Sequence, residues 1–362
     1  MSQTRSLLTA CAFTVAVWTP VPVFAHGGAG LSGPAAWSAW SLTPEISGSL
    51  LLILVIYARG AWRRWTASRP FARIRHTLFG AGLLALFLSL QSPLDPMGAR
   101  LFLAHQIQHL LLRMIGPMLV ILARPQGVLI AGLPDALRRG LAAPLMSNSA
   151  LSRFYVFLIR PFVAFLLFVL SLYFWQIPSV YNAALLDPLI HWAMHLTMLM
   201  AGLLFFAMIL SPRDGPSNPS HSLRIVLLFA AIVSNILLGA ITTFKSTVIY
   251  TAYDIEVRLF GIAPLTDETV GGFILWVPPS MMLIVAILIV VYDWNTTEKK
   301  RLQRGLEMRG LGKSAPEEPS SGDESRKNMA AANQRLAMLL MLTVLTMFTL
   351  IVATAVFVVS LG

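Results

Sequence analysis

The sequence predicts an all-α polytopic membrane helix bundle, a seven-span core followed by one appended C-terminal span. Three observations predict it. Of 362 residues, 56% are hydrophobic and only 12% charged, whereas soluble domains carry about 25% charged residues; the mean hydropathy is +0.72. Apolar runs at 46–58, 76–91, 101–123, 155–175, 189–210, 223–244, 273–292 and 336–361 approach or exceed the roughly 20 residues that cross a bilayer. The first two are short unless flanking residues join them. Finally, the basic residues fall in alternate connections, as the positive-inside rule requires of cytoplasmic loops.

That distribution orients the chain. Arg59, Arg63, Arg64, Arg69, Arg73 and Arg75 lie between the first two spans, and Arg138, Arg139 and Arg153 between the third and fourth. Lys299, Lys300, Arg301, Arg304, Arg309 and Lys313 follow the seventh. The connection 245–272 instead sets Asp254, Glu256, Asp267 and Glu268 against Lys245 and Arg258. The net charge of +11 therefore serves topology, with membrane lipid as the surrounding partner and no nucleic acid. A multi-pass membrane protein with its N-terminus on the outer side is expected.

Residues 1–25 read as a secretory signal: Arg5, an apolar stretch at 7–17, then Val23-Phe24-Ala25 before His26. An uncleaved first helix is the alternative. Cys11 is the sole cysteine and would leave with the signal, so a metal site would have to use His, Met, carboxylate or backbone oxygen. The Gly/Pro/Ser-rich segment 26–44 follows, with Trp37 and Trp40 as interfacial anchors. The core occupies 45–295. Its 124–153 connection, broken by Pro125 and Pro134, has room for a short helix on the inner face. In the 245–272 connection, Tyr250, Tyr253 and Phe260 are expected to pack over the outer end of the bundle. A polar, Pro/Ser-rich cytoplasmic linker at 296–335 precedes the uncharged last helix at 336–362. No internal repeat is visible, so a transporter of two related halves gains no support.

Chemistry concentrates in four of the seven histidines. His105/His109 and His191/His195 are i,i+4 pairs, each placing two imidazoles on one helix face. An ionisable side chain at membrane depth is costly and usually faces a functional interior. Both pairs fall in the first two or three turns of spans that start outside, so at about 1.5 Å rise per residue all four come close to one depth near the outer leaflet. If the two spans are neighbours, four nitrogens can converge on one ion. His191, Met194, His195 and Met198 follow one stripe, and His105, Gln108, His109 and Leu112 another. Imidazole with thioether suits copper, particularly Cu(I), while imidazole alone also suits zinc or iron.

Blander readings stand beside this one. A lone intramembrane His is more often a hydrogen-bonded packing residue, and Met194 and Met198 alone would be filler among 16 methionines. Haem is a competitor, although bundles holding two stacked haems space their histidines about four turns apart. Arg113, deep in its span, needs an acceptor or a water-filled cavity. Asp187 and Asn182 are helix caps or contacts to His191; Arg160 is a snorkelling residue; His76 and His221 sit at the inner face. No phosphate loop, membrane-embedded carboxylate pair or nucleophile constellation is present, so an enzyme is not expected.

The third-span run Ala104-His105-Gln106-Ile107-Gln108-His109-Leu110-Leu111-Leu112 with Gly116-Pro117 resembles the H-x-x-x-H-x-L segment of the CtaG family. The likeness continues through Pro178, Tyr181-Asn182-Ala183-Ala184-Leu185 and His191-Trp192-Ala193-Met194-His195. It extends to Thr243, Ser246-Thr247, Tyr250, Pro264-Leu265-Thr266-Asp267-Glu268, Gly271-Gly272 and Leu275-Trp276-Val277-Pro278, covering the seven-span core. Where relatives often carry Glu before the second His of the fifth span, this chain has Met194. The resemblance implies a cytochrome c oxidase assembly factor associated with caa-type oxidases, partnering haem–copper oxidase subunits and aiding copper delivery, with a periplasmic copper donor as a possible second partner. A haem-binding electron-transfer protein and a copper permease remain the alternatives, the latter without a continuous Met or polar track.

Overall fold

The computed structural model describes residues 33–66, 73–210, 219–255 and 258–308. The signal segment with Cys11 and His26, the linker beyond residue 308 and the appended last helix lie outside them. Among the described residues the chain is helical with no strand. The principal helices are α1 (Pro44–Thr66), α2 (Arg73–Gln91), α3 (Phe102–Ala123), α4 (Gln126–Gly132), α5 (Ser149–Leu158), α6 (Pro161–Trp175), α7 (Pro178–Leu186), α8 (Pro188–Leu210), α9 (His221–Phe244) and α10 (Pro264–Met308). Two compact units result, 1–286 and 287–362; of the second, the described part is the C-terminal stretch of α10.

Six helices, α1, α2, α3, α8, α9 and α10, are long and apolar enough to span a membrane. The fourth predicted span differs from expectation. It is broken into α5 and α6 with a bend of 66°, counting as a seventh span only if both pieces are taken together. Arg160 has extended backbone (φ −59°, ψ 139°) ahead of Pro161, because a residue before proline is driven out of the helical region. The seventh span also begins earlier than its apolar run, at Pro264 rather than 273, since Pro264 suits a first helical position. Asp267 and Glu268 thereby move from the loop into its first turn.

The core forms where α3 and α8 meet. α3 packs between α2 and α8, and α6 and α7 lie against α8. These two central helices are the most buried spans, at 72% and 78% against 28–44% for the others. In α3 a π-helical turn spans Leu111–Ile115. Pro117 has no N–H for the Arg113 carbonyl and would crowd it, and a wider turn relieves both. α8 then passes close by: a Cβ on Gly202 would lie 2.1 Å from the Arg113 carbonyl oxygen. Only glycine fits that crossing.

One end of the bundle gathers the N-termini of α1, α3, α8 and α10 with the C-termini of α2, α6 and α9. Gln91 at the end of α2 accepts from the Thr43 amide at 2.8 Å, and the 3₁₀ turn Pro34–Ser38 leaves Trp37 and Trp40 exposed, as interfacial anchors would be. The expected helix in the 124–153 connection is present as α4.

Candidate metal centre

His105 and His109 are the fourth and eighth residues of α3, and His191 and His195 the fourth and eighth of α8. Equal registers on neighbouring helices put the pairs at matching depth. All four are buried, from 0% exposed at His105 to 9% at His191. Ring centroids are 4.3 Å apart within each pair. Between helices, His105 lies 5.3 Å from His191 and 5.8 Å from His195, and His109 lies 5.6 Å from His195.

One ring nitrogen each from His105, His109 and His195 lie within 4.8 Å of one another. Tetrahedral ligation at about 2.0–2.1 Å per bond requires nitrogens roughly 3.3–3.4 Å apart, so small rotamer shifts suffice. His191 lies outside that group of three and stacks on His105, with ring centroids 5.3 Å apart. His109 supplies a further sign of fit, since both its ring nitrogens are buried and make no hydrogen bond among the described residues. Such orphaned atoms are costly and rare in native interiors.

Each helix start is held differently. At α8 the sequence supplies its own cap: the Asp187 carboxylate accepts from the Leu189 and Ile190 amides at 2.8 and 3.1 Å, and Pro188 follows as first helical residue. Before α3 stands Leu101, which cannot cap. The acceptor comes from α10, where Asp267 takes the Phe102 and Leu103 amides at 2.7 and 2.9 Å. Its neighbour Glu268 pairs with Lys245 and accepts from the Tyr250 amide at 2.8 Å. One turn of α10 therefore positions both the first histidine helix and the loop beside it.

That loop completes the site. Tyr253 Oη contacts His105 Nδ1 at 2.9 Å, donates to the Gly98 carbonyl at 3.0 Å and meets Tyr181 Oη at 3.1 Å. A phenol has one proton, and the carbonyl takes it. His105 must therefore donate from Nδ1, which leaves the lone pair on Nε2. Ligating histidines are commonly oriented this way, by donating the second ring nitrogen to a neighbour. Behind Tyr181 the chain of donors continues through Gln106 (3.3 Å), Gln176 (3.0 Å) and Tyr250 (2.8 Å). Phe102, Tyr181, Tyr250 and Tyr253 pack as one buried cluster over the end of the bundle, and burial pushes the Tyr250 and Tyr253 phenols above their usual value of 10. Both tyrosines were expected at the outer end; the contact of Tyr253 with His105 was not legible without the fold.

Other candidates are placed elsewhere. Met194 and Met198 are fully buried in an apolar cluster with Leu172, Trp175 and Ala184. Gln108 turns toward Ser89 and Asp95, holding α3 to α2. Asn182 donates to Thr251 at 3.1 Å and anchors the tyrosine loop. His76 meets Tyr57, remote from the centre in sequence and fold. Phe260 takes a left-handed backbone (φ 58°) and packs against Trp37. Arg113 finds the acceptor it needs in the Phe168 carbonyl, at 2.7 Å, with its guanidinium 3.6 Å from the Phe168 ring centre.

The family model for cytochrome c oxidase caa3 assembly factors (CtaG) matches residues 55–297, spanning every helix that carries this centre. The chain belongs to the CtaG family. Among curated proteins it is 30% identical over 279 residues to an uncharacterized protein of Mycobacterium bovis and likewise to one of Mycobacterium tuberculosis, covering 74% of this chain and 41% of each relative. An uncharacterized protein of Mycobacterium leprae is 26% identical over 270 residues, covering 71% and 40%. The chain thus spans about two fifths of the length of these relatives. No solved structure matches. With CtaG membership, the agreement between matched segment and histidine helices replaces a resemblance of motifs by a family relation across the core.

Proposed function

We propose that this CtaG-family protein binds copper at the histidine centre and presents it during metallation of a haem–copper oxidase. The observation that carries the reading is the convergence of His105, His109, His191 and His195 at one depth on α3 and α8. An all-imidazole set suits copper, zinc, iron or nickel, and oxidase assembly favours copper as the cargo. The imidazoles touch one another directly, with centroids 4.3–5.8 Å apart, which favours a point ion over a porphyrin plane between them. Met194 and Met198, expected as further donors, pack in the apolar cluster with Leu172, Trp175 and Ala184, so the reading rests on the imidazoles. In the orientation read from the basic loops, the centre lies near the periplasmic side of an inner-membrane protein whose N-terminus is also periplasmic, beneath the aromatic cluster of Phe102, Tyr181, Tyr250 and Tyr253. Oxidase subunits would then receive the metal and a periplasmic donor would supply it. The role in this reading is that of a metal carrier rather than an enzyme.

The test is metal content. Purified wild type loaded with Cu(I) should hold about one copper per chain, and the His105→Ala/His191→Ala double variant should lose it. Equal copper in both proteins would sink the site, and a strong preference for zinc would remove copper as the cargo.

A further inference from the structure

Beneath the histidine centre lies a cavity of about 20 Å³ lined by Gln106, His109, Arg113 and apolar side chains of α3, α6 and α10. A volume of that size admits one small species. Its polar wall is unusual in charge. Arg113 is 2% exposed and enters no ion pair among the described residues. A guanidinium carries five N–H donors, yet this one has a single oxygen acceptor, the Phe168 carbonyl, with a long contact to the Met114 sulfur. Its Nε is buried without a hydrogen-bond partner, as are both nitrogens of His109. Gln106 is already committed to Tyr181 and Gln176.

We propose that this cavity is a binding site for a single small inorganic anion of halide size, held by Arg113 Nε–H and a ring N–H of His109. A water molecule would satisfy the donors but leave a positive charge uncompensated at membrane depth, which is costly. An anion satisfies both requirements. The site also fits the chemistry above it: an imidazole that gives one lone pair to a metal keeps an N–H on its other nitrogen, and a neighbouring anion would accept from it. The inference stands on Arg113 and the cavity and does not depend on the copper reading.

Labelled chloride binding to chelator-treated, detergent-purified protein tests it by scintillation proximity. Wild type should bind about one chloride per chain, displaced by bromide and not by the larger sulfate. Arg113→Gln should abolish binding, and His109→Leu should weaken it roughly ten- to hundredfold, the loss of one hydrogen bond to a charged group. The His105→Ala/His191→Ala double variant should keep chloride while losing copper, which separates this site from the metal centre. Absence of saturable chloride in wild type would overturn the proposal and assign the cavity to water. Should Arg113→Gln not fold, His109→Leu decides, because unchanged chloride affinity there overturns it equally.

Discussion

Replacing Tyr253 by Phe removes one buried oxygen and leaves the ring in its aromatic cluster. That oxygen serves the Gly98 carbonyl at 3.0 Å, His105 Nδ1 at 2.9 Å and Tyr181 Oη at 3.1 Å. The carbonyl and the imidazole N–H lose their partner in a site closed to water, at about 1–3 kcal/mol each. Partial relaxation brings the expected loss of stability to about 2–4 kcal/mol. The effect on the metal is separate. Without its acceptor, His105 is no longer held with its lone pair on Nε2, and removing such an outer partner typically weakens a metal site 10–100-fold. Competition against a colorimetric Cu(I) chelator reads that affinity, with a thermal melt in the same detergent for stability. Tyr250→Phe is the control, since its hydroxyl reaches Gln176 and no histidine; it should destabilise the fold and change copper affinity less than about threefold. Equal shifts in copper affinity for the two variants would refute a specific hold on His105.

Two further outcomes are expected. Gly202→Ala places a Cβ 2.1 Å from the Arg113 carbonyl oxygen; overpacking of this kind costs about 1–3 kcal/mol and sometimes more, so the melting temperature should drop, while an unchanged melt would disprove the close α3–α8 crossing. The pH dependence follows from Tyr181, Tyr250 and Tyr253, whose phenols burial holds above 10. Above about pH 10 the unfolded chain releases these protons while the folded chain retains them, so stability should fall with rising pH by up to about 1.4 kcal/mol per unit for each phenol. Below pH 9 they contribute no slope, and Tyr253→Phe should flatten the alkaline fall; an identical fall in both proteins would contradict the assignment.

Much of the fold and part of the centre were legible in the residues because their signals are local. Span positions follow from runs of apolar side chains, and the i,i+4 spacing places each histidine pair on one face whatever surrounds it. The cap of α8 is written beside it, in Asp187-Pro188. Local pattern was misleading where a continuous apolar run hid a backbone break: Arg160-Pro161 divides the fourth span because proline constrains the residue before it, at little cost to hydropathy. It was also misleading at α10, where polar Asp267 and Glu268 read as loop and yet form a helix turn, their carboxylates satisfied by amides and Lys245 from elsewhere in the chain.

The sequence alone determined that this is a helical membrane protein with two histidine pairs, each on one helix face near the outer end of its span, because helix length and face repeat with the backbone's own geometry. Only the tertiary structure decided that α3 and α8 are neighbours, that Asp267 caps a helix 164 residues away, and that Tyr253 holds His105 across 148 residues. Those links depend on which buried surfaces fit. Gly202 beside the Arg113 carbonyl is such a fit, and it has no signature in the spacing of residues along either helix.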